Sequence, residues 1–196
     1  MTNDEIFYNL ILDYPGNLMS KNAKNDVLTK HIPDSEAIEK FFEKYGTVES
    51  LLDIGSGGGF PAVPIAYSYP DLSVTAVDSV NKKINFLKSV KEVMNLQNFH
   101  PVCARIEQKN ELSGKKFDVI TSRALAKTEL LIKYSAPYLK KGGYSVFYKA
   151  LTADEETAEA RKILPKYNMK FVENIDYKLD FDENITRCLV VFQKIA

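Results

Sequence analysis

The chain has 196 residues, enough for one sizeable hydrophobic core and too few for two. Hydrophobic residues make up 45% of it, which excludes a disordered chain. Its 26 basic and 26 acidic residues cancel, so any nucleic-acid contact must come from a local patch rather than from overall charge.

The acidic start, Asp4 and Glu5, lacks the apolar core of a signal peptide, and no stretch approaches a membrane span. These features predict a soluble, cytoplasmic protein without a membrane partner. From Asp4 to Tyr14, Ile6, Phe7, Leu10 and Ile11 fall at helical spacing, and Pro15-Gly16 ends the run. The polar stretch from Ser20 to Asp26 carries Lys21 and Lys24, and Lys30 and His31 follow. Asp34 or Ser35 can cap a helix whose Ile38, Phe41, Phe42 and Tyr45 share one face, closed by Gly46. Residues 1–46 therefore read as a helical extension on a core at 47–196, the whole chain forming a single domain.

From Val48 the pattern alternates. Strands are expected at Ser50–Ile54, Leu72–Val77, Phe99–Ala104, Phe117–Thr121 and Tyr144–Tyr148. Helices are expected at Phe60–Tyr69, Asn81–Leu96, Lys127–Leu139 and Thr152–Leu164. Two β-rich runs without a helix between them, Lys170–Leu179 and Thr186–Lys194, close the chain as an antiparallel hairpin. The fold class is α/β: one mostly parallel sheet of about seven strands with helices on both faces. Cys103 and Cys188 each lie in an apolar run with no C-x-x-C, and read as reduced, buried small hydrophobes. No metal site is expected.

The most informative stretch is Asp53-Ile54-Gly55-Ser56-Gly57-Gly58-Gly59-Phe60-Pro61. An apolar strand stops, glycines make a tight turn, and a helix opens with its free N–H groups facing any ligand. A second acid, Asp78, follows roughly 20 residues on, where a nucleotide-binding unit holds ribose hydroxyls. The alternative for Asp78 is a cap on the helix after it. Gly55, Gly57 and Gly59 form G-x-G-x-G, whereas a dinucleotide fingerprint is G-x-G-x-x-G. That pattern resembles the first motif of the Rossmann-like class I methyltransferases that use S-adenosylmethionine.

Further stretches narrow the resemblance. They are His31-Ile32-Pro33-Asp34-Ser35, Gly59-Phe60-Pro61, Val77-Asp78-Ser79, Arg105-Ile106-Glu107, Ser122-Arg123-Ala124, and Lys149 ending the fifth strand. Together they resemble the glucose-inhibited division protein B family, bacterial enzymes that methylate guanine N7 in 16S ribosomal RNA. The resemblance runs from about Asn25 to Lys149. Ala62, Ala150 and a short N-terminal region depart from the family's usual pattern, and the last bears on RNA docking.

The resemblance implies S-adenosylmethionine as cofactor and 16S ribosomal RNA, or the small subunit, as partner, with the protein acting as a monomer. The implied cofactor site comprises Asp53, Gly55, Gly57, Gly59, Phe60, Asp78, Ser79, Ile106, Glu107 and Arg123. On the acceptor side Arg123 and Lys149 would position the substrate, with a surface ion pair as the alternative for each. Lys21, Lys24, Lys30 and His31 are the candidates for RNA contact.

N7 of guanine carries a lone pair and no proton, so no general base is expected. Asn/Asp-Pro-Pro-Tyr/Phe, common in enzymes acting on amino groups of bases, is absent after the fourth strand, where Thr121-Ser122-Arg123-Ala124 stands. A cysteine nucleophile for cytosine C5 is also not expected, neither cysteine reading as a strand's carboxyl end beside the glycine loop. Two other readings compete: a nicotinamide-dependent oxidoreductase, and a non-catalytic RNA-binding ribosome-assembly factor.

Overall fold

The computed structural model describes residues 1–149, 153–179 and 182–196, without the side chains at 21, 153–155 and 182–185. The chain opens with helices α1 (Asn3–Asp13) and α2 (Lys21–Asn25), a π-helical turn (Val27–His31), and helices α3 (Ile32–Glu36) and α4 (Ile38–Tyr45). Strand β1 (Ser50–Ile54), helix α5 (Ala62–Ser68), β2 (Ser73–Asp78), α6 (Asn81–Val93), β3 (Phe99–Cys103) and β4 (Phe117–Arg123) follow. Then come α7 (Thr128–Ser135), β5 (Leu139–Lys149), α8 (Ala153–Arg161), β6 (Met169–Leu179) and β7 (Asp182–Lys194).

The seven strands form one sheet in the order β3-β2-β1-β4-β5-β7-β6. The first five are parallel, and β7 runs antiparallel to both β5 and β6. The Rossmann-like α/β architecture expected from the alternating pattern is therefore present, with its closing hairpin and N-terminal helices. The order reverses between β1 and β4, and a crevice at the carboxyl ends of such strands is where ligands bind in open α/β sheets.

Side chains alternate across the sheet and sort into two apolar layers. Leu51, Val74, Ala76, Val119, Val146 and Val191 face α1, α4, α5 and α6, with Phe7, Ile11, Ile38, Phe41 and Phe42 packed among them. Leu52, Ile54, Val77, Ile120, Phe147 and Val190 face the other way, toward Leu131 and Ile132 of α7 and Ala160 of α8. Strands buried on both faces read as continuous apolar runs, as residues 188–192 of β7 do.

Several boundaries differ from the sequence expectation for physical reasons. Helix α7 stops at Ser135 and gives way to a 3₁₀ turn, Ala136–Tyr138, because Pro137 cannot continue it. Gly142 and Gly143 lie within β5 rather than before it. A Cβ on Gly143 would lie 2.8 Å from the Asp118 carbonyl, beside the register shift between Phe117 and Val119. Neither Asp34 nor Ser35 caps α4, which starts after Ala37 without a side-chain cap. Both are buried; Ser35 donates to the His31 carbonyl at 2.7 Å, and Asp34 turns inward to a charged partner. A charged hydrogen bond in the interior outweighs a surface cap worth about 1 kcal/mol. Cys188 is buried as expected, but Cys103 is exposed, since it closes the edge strand β3. Ala150 and Thr152, the latter the expected start of α8, lie outside the described residues.

Candidate functional site

At the end of β1 the backbone folds across β2: the N–H groups of Gly55 and Ser56 donate to the Val77 carbonyl at 2.8 and 3.1 Å. The alternate glycines then do different work. Gly57 has φ +56°, and a Cβ there would meet nothing closer than 3.8 Å, so its open side is free to receive a ligand. A Cβ on Gly59 would lie 2.9 Å from Val63, 3.0 Å from Phe7 and 3.1 Å from Leu87. The missing side chain of Gly59 thus keeps room for helix packing.

One crevice opens over the carboxyl ends of β1, β2 and β3, lined among others by Gly55, Asp78, Ser79, Ile106, Glu107 and Leu125. Asp78 anchors it. Its Oδ2 accepts from Gly57 N–H at 3.0 Å and its Oδ1 from Val80 N–H at 2.8 Å, with Lys83 Nζ 3.7 Å away. The expected cap on the following helix is not made: α6 has Val80 at its N-cap without a side-chain cap, and the bond from Val80 closes the turn before it. A carboxylate offers about four lone-pair sites, so acceptor capacity remains for hydroxyl groups in the crevice. Ile106 supplies an apolar wall, and its carbonyl accepts from Tyr138 Oη at 3.1 Å. Glu107 lies in a turn, 3.5 Å from Arg105.

Asp53 and Phe60 are not in this lining. Asp53 is fully buried beneath the glycine loop; Oδ1 accepts from Thr121 Oγ1 at 2.9 Å, and its carbonyl accepts from Ser56 Oγ at 3.1 Å. Oδ2 is buried without a partner, and burial pushes the carboxyl pKa up to about 7. Phe60 is 5% exposed and packs against Phe7 and His31 on the opposite side, with the Arg123 guanidinium 5.1 Å over its ring. It lies beneath Arg123.

A second crevice lies across the loop that follows β4, lined by Lys30, His31, Asp34, Arg123, Ala124, Lys149 and Arg187 with Tyr148 and Tyr177. Arg123 Nη1 donates to Asp34 Oδ2 at 2.8 Å and to the His31 carbonyl at 3.3 Å. Asp34 Oδ1 accepts from Tyr177 Oη at 2.7 Å and lies 3.5 Å from Arg187 Nη1. Arg123 is thus not a surface ion pair but the centre of a nearly buried network, 15% exposed. It is absent from the lining of the first crevice and lines the second.

His31 is disfavoured as a cation where it stands. Burial, with Arg123 and Lys30 beside it, lowers its pKa to about 4. Arg123 Nη2 lies 3.3 Å from Nδ1, which must therefore accept; the proton sits on Nε2, buried without a partner. Lys149 is also committed, donating to the Ala126 carbonyl at 2.9 Å and to Glu156 Oε2 at 2.7 Å. Lys149 is thus in an ion pair, but one that is 12% exposed on its own side rather than at the surface. Lys24 is not part of this lining, and the Lys21 side chain lies outside the described residues.

Cys103 ends β3 opposite Asp78, so position alone does not exclude it from the crevice edge, contrary to expectation. Among the described residues no cluster of His, Cys, Asp and Glu is arranged for a metal, and no helix is long and apolar enough to cross a membrane. Sequence reasoning missed Asp34, Tyr177 and Arg187 as site residues. A lone arginine inside the apolar run of β7 was the available signal.

Comparison with known proteins agrees with this geometry. The family described as rRNA small subunit methyltransferase G matches residues 5–185. A ribosomal RNA small subunit methyltransferase G from Lachnoclostridium phytofermentans is 37% identical over 97% of this chain and 80% of its own length. The protein of that name from Lysinibacillus sphaericus is 36% identical over 91% of this chain and 75% of its own. Among solved structures, a putative sarcosine dimethylglycine methyltransferase from Galdieria sulphuraria superposes with TM-score 0.67 over 98% of both chains at 11% identity. Magnesium protoporphyrin IX methyltransferase from Synechocystis, solved with bound SAH, gives 0.64 over 97% of this chain and 95% of that one at 14% identity. These likenesses establish the class I methyltransferase fold, and the sequence matches establish that the chain belongs to the rRNA small subunit methyltransferase G family.

Proposed function

We propose that this protein transfers a methyl group from S-adenosylmethionine to N7 of a guanine in 16S ribosomal RNA. The observation that carries the reading is a pair of unlike crevices on either side of the loop after β4. One has apolar walls and a carboxylate with spare lone pairs; the other is lined by four cationic side chains, Lys30, Arg123, Lys149 and Arg187.

The residues present fit the cofactor. Gly57 leaves space against the backbone, Asp78 can accept from ribose hydroxyls, and Ile106 and Leu125 offer apolar faces to a base. The unpartnered Asp53 Oδ2 is a buried acceptor that an ammonium near the glycine loop would satisfy. When bound, the cofactor supplies an electrophilic methyl group on a sulfonium. The chain's own task is alignment and exclusion of water. The acceptor nitrogen has no proton to lose, and His31, held neutral by its surroundings, is not asked to take one. Arg123 stays protonated and can hold a phosphate or the guanine edge while Asp34 fixes its direction.

The reading includes a cytoplasmic monomer and a single domain, with residues 1–46 part of the same unit. Mild proteolysis should then release no stable fragment ending near Leu151. The direct test is transfer of tritium from labelled S-adenosylmethionine to purified small ribosomal subunits, with calorimetric titration of cofactor alongside. Heat with S-adenosylmethionine and its demethylated product, none with NAD, and label in 16S RNA are expected. RNA binding without label would instead mean an assembly factor.

A further inference from the structure

The two crevices share a wall, the loop 124–127 between β4 and α7. Ala124 borders the cationic crevice and Leu125 the glycine-loop crevice. The Leu125 side chain lies directly over Gly55: a Cβ there would meet Leu125 Cδ1 at 2.8 Å. Ala124 has φ +55°, a left-handed conformation that a residue with a side chain adopts only under constraint.

The constraint has two ends. Upstream, Arg123 is fixed to Asp34. Downstream, Lys149 Nζ donates to the Ala126 carbonyl at 2.9 Å and to Glu156 Oε2 at 2.7 Å. The same oxygen of Glu156 accepts from Thr128 N–H at 3.2 Å and Thr128 Oγ1 at 3.0 Å. Lys127, the N-cap residue of α7, makes no side-chain cap of its own. Glu156 therefore caps α7 from a different helix and at the same time steers the lysine that holds the loop.

We propose that Glu156 is a positioning residue for methyl transfer, acting through Lys149 and Thr128 to set the wall between the two crevices. The proposal rests on the reading that cofactor lies against Gly55 and acceptor beside Arg123. A wall that carries Leu125 on one side and Ala124 on the other decides how closely the reacting atoms meet. Releasing it should slow transfer more than it weakens cofactor binding, because small misplacements act most strongly on alignment.

The test uses the full chain with Glu156→Ala and Glu156→Gln. Single-turnover transfer to small subunits at saturating cofactor, affinity for S-adenosylhomocysteine, and melting temperature are measured together. Glu156→Ala should transfer about 10- to 100-fold more slowly while cofactor affinity falls only about threefold. Glu156→Gln, near-isosteric and still able to accept from Thr128, should fold as wild type and recover part of the rate. If both variants melt lower yet transfer and bind as wild type, Glu156 merely anchors α8 and the proposal is overturned. A wild type that takes no label would overturn the functional reading itself, and the proposal with it.

Discussion

The two crevices at the carboxyl edge of the sheet are built differently. The glycine-loop crevice takes Gly55, Asp78 and Ile106 from beside the ends of three consecutive strands. Each of these residues ends its own strand or follows it closely. The cationic crevice draws His31 from the N-terminal helices, Arg123 and Lys149 from β4 and β5, and Tyr177 and Arg187 from the closing hairpin. The first needs only that successive strands lie side by side. The second needs chain segments distant in sequence to pack correctly around Asp34, whose charge is only 4% exposed. A buried charge of this kind is tolerable only while its partners stay in place. The difference predicts that lesions in the first crevice separate binding from stability, whereas lesions in the second do not.

The largest separation should come from the glycines. Gly57→Val puts a branched side chain into the open space beside the glycine loop, where a Cβ meets nothing closer than 3.8 Å, and binding of S-adenosylhomocysteine should weaken by about 100-fold or more. Melting should fall only by the strain of a left-handed residue, about 1–2 kcal/mol. Gly59→Ala should do the reverse, since its Cβ would strike Val63, Phe7 and Leu87. Overpacking there should cost about 1–3 kcal/mol in urea unfolding. Equal effects of the two substitutions on affinity and stability would erase the distinction.

Arg123→Ala comes next. Transfer at saturating cofactor should drop by about 10- to 150-fold, equivalent to about 1.5–3 kcal/mol. Stability should fall as well, because Asp34 loses its closest cation. Arg123→Lys should recover only part, a point charge replacing a fork that serves Asp34 and His31 at once. Activity within about twofold of wild type would remove Arg123 from the acceptor side.

The last contrast is in pH dependence, where the two regions should have opposite signs. His31 has a folded pKa of about 4 against an ordinary 6.5, so the unfolded chain binds more protons between them. Its contribution is full above pH 6.5 and is lost as pH falls toward 4. Asp53 is raised from 3.8 to about 7, so the folded chain binds more protons. Its contribution is full below pH 3.8 and is lost as pH rises through 7. Urea midpoints between pH 4.5 and 6.5, inside both ranges, should therefore rise with pH in Asp53→Asn relative to wild type and fall in His31→Gln. Unchanged slopes in both variants would contradict these burial arguments.

What could be read from the sequence follows the same division. Strand periodicity and the glycine turn pointed to Gly55, Gly57 and Asp78 because each follows from local chain geometry, whereas Ile106 entered only with the family resemblance. Spacing could not say that Gly59 and Phe60 serve packing, since that depends on Phe7, Val63 and Arg123 arriving from elsewhere. An aspartate before an apolar helical stripe reads as a cap, and only the folded chain brings Arg123, Tyr177 and Arg187 to Asp34. Lys149 looked available for substrate because Glu156, its partner, lies on a helix whose docking no local pattern announces. Cys103 sits in an apolar run, yet its strand is the sheet edge and it stays exposed.

The most direct test of the two-crevice account is chemical mapping of the modified base. N7-methylguanine is cleavable by borohydride and aniline, whereas guanine methylated on its exocyclic amine is not. Small subunits treated with the protein and S-adenosylmethionine should yield one discrete new scission in 16S RNA, absent with Gly57→Val and strongly reduced with Arg123→Ala. Label incorporated without scission, or scission undiminished in either variant, would contradict the account.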